Sequence, residues 1–269
     1  MALTETIVRA ALQAVAVVLP ISESAHRALG ELWLGPADQT ALGGLAAHLG
    51  TMLALAVLVR GRLGAACGAA ARAARQPAQF AGSDAGRDAR AVLIAATVSV
   101  ALEVGLAGPV ARLEQQPLCV AAGLFATAAT LALTPFAPSP RALTPGPLGA
   151  AAVGLAHGLG TVPGASQVGA AFVVLSWLGI RGWRAVELGF LVTIPTLGVA
   201  VAREIGRAVS TDLRPSPATA AAVAASTLVA LLGASAWKRL ADGNRGLVFL
   251  GWIVPLGLAM LGYARATAL

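Results

Sequence analysis

The side chains of this sequence that could do chemistry are concentrated in a few short segments. The sequence has only three histidines, His26, His48 and His157, and the first of them ends the octapeptide LPISESAH at 19–26. Histidine nitrogens beside a carboxylate such as Glu23 can exchange protons near neutral pH or bind a transition metal. We therefore expect these four residues to form one site, suited either to acid/base chemistry or to a divalent metal ion of unknown identity.

Two turn-like segments add hydroxyl and amide groups. The octapeptide carries Ser22 and Ser24, and the segment VPGASQVG at 162–169 carries Ser166. Serine caps helix N-termini well, and a helix N-terminus attracts anions, so capping and phosphate binding are compatible interpretations. Each segment also has one proline, Pro20 in the first and Pro163 in the second. Both prolines are most simply helix breakers.

The composition places these polar segments in a membrane protein. Hydrophobic residues make up 57% of the chain and charged residues 12%, and the mean hydropathy is +0.78. Soluble domains have about a quarter of their residues charged. The net charge of +7 comes from basic residues scattered between apolar segments, without the aromatic-interleaved patch of a nucleic-acid binder. We expect an integral membrane protein that binds no nucleic acid.

The apolar segments predict six membrane-spanning helices and two re-entrant hairpins. The predicted spans are 42–59, 91–108, 117–134, 185–202, 217–235 and 246–263. Two further apolar segments, 5–34 and 148–178, are interrupted by proline and polar residues. Each therefore predicts two short helices that meet at a turn inside the membrane. The N-terminus has neither a basic stretch nor a small-residue cleavage site around its apolar run, so we expect the first helix to be retained.

The hairpins and spans repeat along the chain. LWLG at 32–35 corresponds to SWLG at 176–179, and the segment 47–60 corresponds to 186–203. The predicted repeats, within one membrane domain of residues 1–269, are 1–134 and 148–263, each a hairpin followed by three spans. Because three spans separate the hairpins, the second must enter from the opposite face, as in transporters with inverted repeats.

The distribution of Lys and Arg predicts the orientation. The loops 60–90, 135–184 and 236–245 carry more basic residues than the other side. The richer side should be cytoplasmic, which opens the first hairpin toward a periplasm-like side. Arg60 and Arg203 end their spans and are interpreted as anchors at the membrane interface.

Three landmarks resemble a known family. LPISESAH, HLGTMLALAVLVR at 48–60 and VPGASQVGA at 162–170 are similar to those of the undecaprenyl-diphosphate phosphatase family of the UppP/BacA type. The likeness extends to 186–198 and 230–240, and so covers nearly the whole chain. It implies two inverted repeats with re-entrant helices and six spans. It also implies a bacterial inner-membrane protein that acts on a polyprenyl diphosphate. The phosphates of this lipid would enter a polar pocket while the prenyl tail stays in lipid. The resemblance leaves open whether the protein forms a homodimer.

The chain departs from the family's pattern at several positions. The family typically has two glutamates where this chain has Gln13 and Val17, and an arginine in the second turn where it has Gln167. His48 and His157 stand where the family usually has glutamine. An arginine suits a diphosphate because it grips phosphate oxygens with two hydrogen bonds. The resemblance therefore leaves two functions open, a diphosphate phosphatase and a carrier that moves the polyprenyl phosphate across the membrane.

The residues that we assign to the site follow from these observations. The predicted catalytic residues are Ser22, Glu23, Ser24 and His26. The predicted substrate-binding residues are Gln13, Pro20, His48, His157, Gly164, Ser166, Gln167 and Glu187. The predicted metal ligands are Glu23 and the three histidines. Each histidine could instead bond a helix carbonyl, Glu187 could instead be solvated at the edge of its span, and the sequence does not decide whether Glu103 faces the cavity.

Overall fold

The computed structural model describes residues 3–35, 41–243 and 245–267, and all regular structure in these ranges is helical. This confirms the all-α fold class. The α-helices are α1 (Leu3–Val18), α2 (Glu23–Leu34), α3 (Ala41–Leu58), α4 (Arg60–Arg72), α5 (Pro77–Gly82), α6 (Asp84–Leu113), α7 (Pro117–Ala132), α8 (Pro147–Leu159), α9 (Gln167–Trp177), α10 (Trp183–Ser210), α11 (Pro217–Asp242) and α12 (Leu250–Thr267).

Proline and serine residues fix where many of these helices begin. Proline needs no partner for a backbone N–H in the first turn, and a serine hydroxyl accepts a hydrogen bond from a free N–H there. The helices α5, α7, α8 and α11 begin at Pro77, Pro117, Pro147 and Pro217. The side chains that cap α2, α6, α9 and α11 are those of Ser22, Ser83, Ser166 and Ser216.

The membrane-spanning helices agree with the hydropathy pattern. Among the described residues, five helices are long and apolar enough to cross a bilayer; they are α6, α7, α10, α11 and α12, two of them extended by a short 3-10 turn. The sixth predicted span is α3, which is followed by α4 after a bend of 89°. The bend begins where Arg60 and Arg62 interrupt the apolar run, because charged side chains favour the membrane surface over its interior. The count is six when this bent pair is one span.

The two interrupted apolar segments form two pairs of short helices, as the sequence predicts. The first pair is α1 and α2, joined by the turn 19–22, and the second is α8 and α9, joined by the turn 160–166. The helices α2 and α9 have 12 and 11 residues. At 1.5 Å per residue they are about 17 Å long, well short of a hydrocarbon core of about 30 Å.

The two halves of the chain pack crosswise. Helix α1 packs against α11, and α8, which occupies the same place in the second half, packs against α6. Helices α3 and α10 pack against each other, as do α7 and α12. Small residues allow these close crossings: a Cβ on Gly154 of α8 would lie 2.4 Å from the carbonyl oxygen of Ala95 on α6. This exchange is the packing expected of an inverted repeat, although the repeat boundaries, which include undescribed residues, stay a prediction.

Candidate functional site

The two turns meet in the interior of the bundle. The Ser22 hydroxyl accepts a hydrogen bond from Ala25 N at 3.3 Å, and the Ser166 hydroxyl accepts one from Gly169 N at 3.1 Å. Both serines therefore cap their helices, as one interpretation of the sequence predicts. Between the turns, Gly164 N donates to the Ser24 hydroxyl at 2.9 Å. The N-termini of α2 and α9 are thus brought together by a direct bond between the hairpins.

The second turn is held against α7. Ser166 N donates to Thr127 Oγ1 at 3.1 Å, and this hydroxyl lies 3.4 Å from the carbonyl oxygen of Gly164. Gly164 has a φ of +80°, a backbone conformation that glycine adopts without strain. A Cβ on Gly123 of α7 would lie 2.0 Å from the Pro163 carbonyl oxygen. The turn can approach α7 this closely only because α7 has no side chain there.

A cavity of about 670 Å³ opens beside the two turns. Helices α1, α2, α3, α6 and α10 and the second turn contribute to its wall. Seven of the predicted site residues line it: Gln13, Glu23, Ser24, His26, His48, Ser166 and Gln167. The tertiary structure therefore brings together residues from both hairpins and from the span that follows the first of them, although they are more than a hundred residues apart in sequence.

Gln13, Glu23 and His48 form the polar centre of the first half. Gln13 Nε2 donates to Glu23 Oε1 at 2.6 Å, and His48 Nε2 lies 3.3 Å from the same oxygen. His48 Nε2 is also 3.1 Å from Gln13 Nε2. The Gln13 amide therefore orients the carboxylate of Glu23 next to the imidazole. A carboxylate held against an imidazole at the wall of a cavity can accept, hold or pass on a proton.

His26 also lines the cavity, but both of its ring nitrogens are engaged. Trp252 Nε1 donates to His26 Nε2 at 2.9 Å, so the proton of the neutral ring lies on Nδ1, which donates to the carbonyl oxygen of Ser22 at 2.8 Å. The ring is stacked near Trp252 and its residue is only 2% exposed. This matches the alternative in which a histidine bonds a helix carbonyl. An acid/base role for His26 would first require the Trp252 bond to break.

His157 lies apart from the other two histidines. It is fully buried, with Nδ1 2.8 Å from the Ser99 hydroxyl and Nε2 3.0 Å from the Thr193 hydroxyl. Its link to the cavity is indirect, because Ser99 also donates to Glu103 Oε1 at 2.8 Å, and Glu103 lines the cavity. Gln167 Nε2 donates to the same Glu103 oxygen at 2.9 Å. The second half thus presents Glu103 and Gln167 to the cavity and keeps His157 behind them.

The structure corrects the expectation of one four-residue site. Of Glu23, His26, His48 and His157, only Glu23 and His48 are in contact. Within 3–35, 41–243 and 245–267, no three His, Cys, Asp or Glu side chains form a group that could hold a metal ion. The described residues therefore do not fit the predicted metal ligand set, since His26 and His157 are bonded to other partners.

Five predicted residues do not belong to the cavity wall. Four of them, Pro20, Ser22, His157 and Gly164, lie behind it in the turns or in α8. Glu187 lies at the other end of α10, 2.7 Å from Arg184 and 3.8 Å from Arg62. This matches neither the cavity interpretation nor simple solvation, because Glu187 is part of an ion-pair network.

The network is centred on a buried aspartate. Asp88 of α6 is 1% exposed, accepts from Arg184 at 2.5 Å and lies 3.3 Å from Arg62. The Thr144 hydroxyl also donates to it, at 2.6 Å. Along α6, Asp88 and the cavity residue Ala107 are 19 residues apart, which at 1.5 Å per residue is about 28 Å. The network therefore lies toward the opposite end of α6 from the cavity wall at Ala107.

Several cavity residues were not assigned to the site from sequence. Besides Glu103, the wall contains the arginines Arg9, Arg27, Arg203 and Arg207. From sequence, basic residues were interpreted as topology signals, because most of them lie between apolar segments. One signal was available: Arg203 and Arg207 are four residues apart and therefore lie on one helix face. Only the fold shows that this face borders the cavity.

The comparisons with known proteins agree with the sequence landmarks. A family model described as bacitracin resistance protein BacA matches residues 6–259. The chain is also similar to a protein from Treponema denticola that is described as an undecaprenyl-diphosphatase. The two are 23% identical over 267 residues, which is 98% of each chain. The family match includes both turns and ends within the last candidate span.

Proposed function

Since this chain belongs to the family of the bacitracin resistance protein BacA, we propose that it binds a polyprenyl diphosphate in the cavity and hydrolyses it to the monophosphate. The prenyl tail stays in the surrounding lipid. The relative from Treponema denticola that matches the whole chain is described as an undecaprenyl-diphosphatase. The proposal extends that activity to this chain and assigns the headgroup to one cavity.

The cavity itself carries the proposal. It is lined by two capped turns, by the bonded group of Gln13, Glu23 and His48, and by four arginines. The first residues of α2 and α9 line this region, and a helix N-terminus favours an anion. Arginine side chains bind phosphate oxygens through charge-assisted hydrogen bonds. An otherwise apolar protein thus gathers cations, helix N-termini and a carboxylate around one space.

The reaction needs one proton acceptor and one leaving group. A water oxygen forms a bond to the terminal phosphorus, and the bond from that phosphorus to the bridging oxygen breaks. The products are inorganic phosphate and the polyprenyl monophosphate, which leaves with the electron pair of the broken bond. Glu23, held by Gln13 and next to His48, takes the proton of the attacking water. His26, which the sequence predicts to be catalytic, is assigned instead the role of holding the first turn.

Phosphate release from a long-chain prenyl diphosphate by the purified protein tests this proposal. We expect Glu23→Gln to lower kcat by about 100-fold or more, because a positioned acid/base group contributes roughly 10²- to 10⁴-fold. His48→Gln preserves size and hydrogen bonding but removes the titratable ring, so a smaller loss is expected.

Asp84→Asn is the matched control, because Asp84 is exposed at the far end of α6 and does not line the cavity. Unchanged phosphate release by the Glu23→Gln variant would overturn the proposed mechanism. Assays with and without a chelator show whether a metal ion takes part in turnover.

The proposed location is the bacterial inner membrane, with the cavity open to the periplasmic side. The cavity wall extends to Glu114, Ser210 and Thr211, at the ends of α6 and α10 that face away from the Arg-rich loops. A periplasmic opening would expose the lipid headgroup on the side opposite these loops. A homodimer stays a prediction.

A carrier function is the second candidate, and the ion-pair network favours it. The cavity wall reaches one end of α6 and α10, while Asp88 and two arginines from different halves of the chain join the helices at the other end. An inverted repeat that rocks about such a joined end could move a polyprenyl phosphate across the membrane without hydrolysis. Lipid movement in proteoliposomes, with no phosphate release above background, would establish the carrier and exclude the phosphatase.

A further inference from the structure

Four arginines line the cavity, and three of them already have acidic partners. Arg9 lies 2.9 Å from Glu5, and Arg207 lies 3.2 Å from Glu204. The third, Arg27, lies 2.5 Å from the Glu114 carboxylate. These carboxylates neutralise the guanidinium groups, so a bound phosphate would have to compete with them.

Arg203 differs from the other three. Within the ranges that the structure describes, its side chain makes neither a hydrogen bond nor an ion pair, and it lines the cavity from α10. It lies within electrostatic range of Glu103 on the facing helix α6. The second turn offers no cation nearby, since Gln167 bonds Glu103 instead. Arg203 is therefore a cation with five unused donors at the wall of a polar cavity.

We infer that Arg203 is a phosphate-binding residue of this cavity and contributes to its affinity for a diphosphate headgroup. The inference rests on the proposed function, because it assumes that the headgroup enters the cavity. A planar guanidinium can bind two phosphate oxygens at once, and removal of water around a lipid headgroup strengthens that pairing. Arg203 thus supplies the cation that the second turn lacks.

The competing explanation is that Arg203 only anchors α10 at the membrane interface. Arg112 offers a matched control for this, because it is also an exposed arginine near the end of a long span. It does not line the cavity, and within the described part of the chain it makes no hydrogen bond or ion pair. A pure anchoring role predicts that the two arginines respond alike to replacement by glutamine.

Binding measurements on the full-length protein in mild detergent separate these explanations. The probe is a methylene-bridged analogue of farnesyl diphosphate, which cannot be hydrolysed, with farnesol as its phosphate-free counterpart. We expect Arg203→Gln to weaken binding of the analogue roughly 10- to 150-fold, the range for a hydrogen bond to a charged group. Binding of farnesol should be unchanged, and Arg112→Gln should bind both probes as the wild type does. Arg203→Lys should restore part of the affinity, because lysine keeps the charge without the planar fork.

Each outcome bears on one of the two claims. Equal binding of the analogue by the Arg203→Gln and Arg112→Gln variants would overturn the inference and leave the proposed function intact. Failure of the wild type to bind the analogue would overturn the proposed function and the inference with it. If Arg203→Gln does not fold, Arg203→Met takes its place: undiminished affinity of the methionine variant for the analogue overturns the inference, and a loss of affinity confined to the analogue supports it.

Discussion

The second turn packs directly against α7 at Gly123, and we predict that Gly123→Ala displaces this turn. The new Cβ would lie 2.0 Å from the Pro163 carbonyl oxygen and 2.7 Å from Ala165 N. Real Cβ contacts are essentially never shorter than 3.0 Å, so the turn would have to retreat by about 1 Å. All three nearest atoms belong to the backbone and cannot rotate away.

The retreat would break the bonds that position the turn. Gly164 N lies 2.9 Å from the Ser24 hydroxyl, and Ser166 N lies 3.1 Å from Thr127 Oγ1. A shift of this size takes both beyond ordinary hydrogen-bonding distance. Overpacking costs about 1–3 kcal/mol, and each lost hydrogen bond costs about 1 kcal/mol. We expect a total destabilisation of roughly 2–4 kcal/mol, which is less than the full sum of these costs. A shift of the turn relieves the overpacking but breaks the hydrogen bonds, so the two costs are not both incurred in full.

Thermal unfolding in detergent measures this effect, and at about 2–4 °C per kcal/mol the melting temperature should fall by roughly 5–15 °C. Binding of the farnesyl diphosphate analogue should weaken as well, because Ser24 and Ser166 line the cavity. Gly105→Ala is the control, since a Cβ on Gly105 of α6 meets nothing within 4 Å. If the Gly123→Ala and Gly105→Ala variants have the same melting temperature and bind the analogue equally well, the turn is not held against α7 as described.

Other predictions concern the fold around the cavity. Asp88→Ala should lower the free energy of unfolding by about 2–4 kcal/mol, measured by thermal unfolding, because it leaves two arginines without their buried partner. The cost is not larger, because one of these arginines is partly exposed. Asp84→Ala, at the exposed start of the same helix as Asp88, should cost less than about 1 kcal/mol, and equal melting of both variants would contradict the buried network. His157→Gln should retain function, because the amide can make the same two hydrogen bonds; loss of phosphate release with unchanged melting would show that the imidazole itself is required. Cysteines introduced at Ser139 and Arg214 should react with impermeant reagents from opposite membrane faces, and labelling of both from one face would refute the topology.

The membrane-spanning helices and the two pairs of short helices could be predicted from the sequence, because helix formation in a membrane depends on local patterns. The helices α4 and α5 were missed, since they lie in 60–90, which was interpreted as a loop. Runs of apolar residues long enough to cross the bilayer predicted the spans, and polar residues with proline predicted the breaks at 19–26 and 162–169. Ser22 and Ser166 could be recognised as caps because capping involves only residues three apart. The family resemblance followed from the same short segments.

Only the tertiary structure decided which polar side chains meet. His26 bonds Trp252, 226 residues further along the chain, and Gln167 bonds Glu103 across 64 residues. The spacing of residues fixes the face of a helix on which a side chain lies, but the rotation and crossing of that helix against its neighbours fix what the face contacts. For this reason the histidines, recognisable by type, separate into different environments, whereas arginines that looked like topology signals border the cavity.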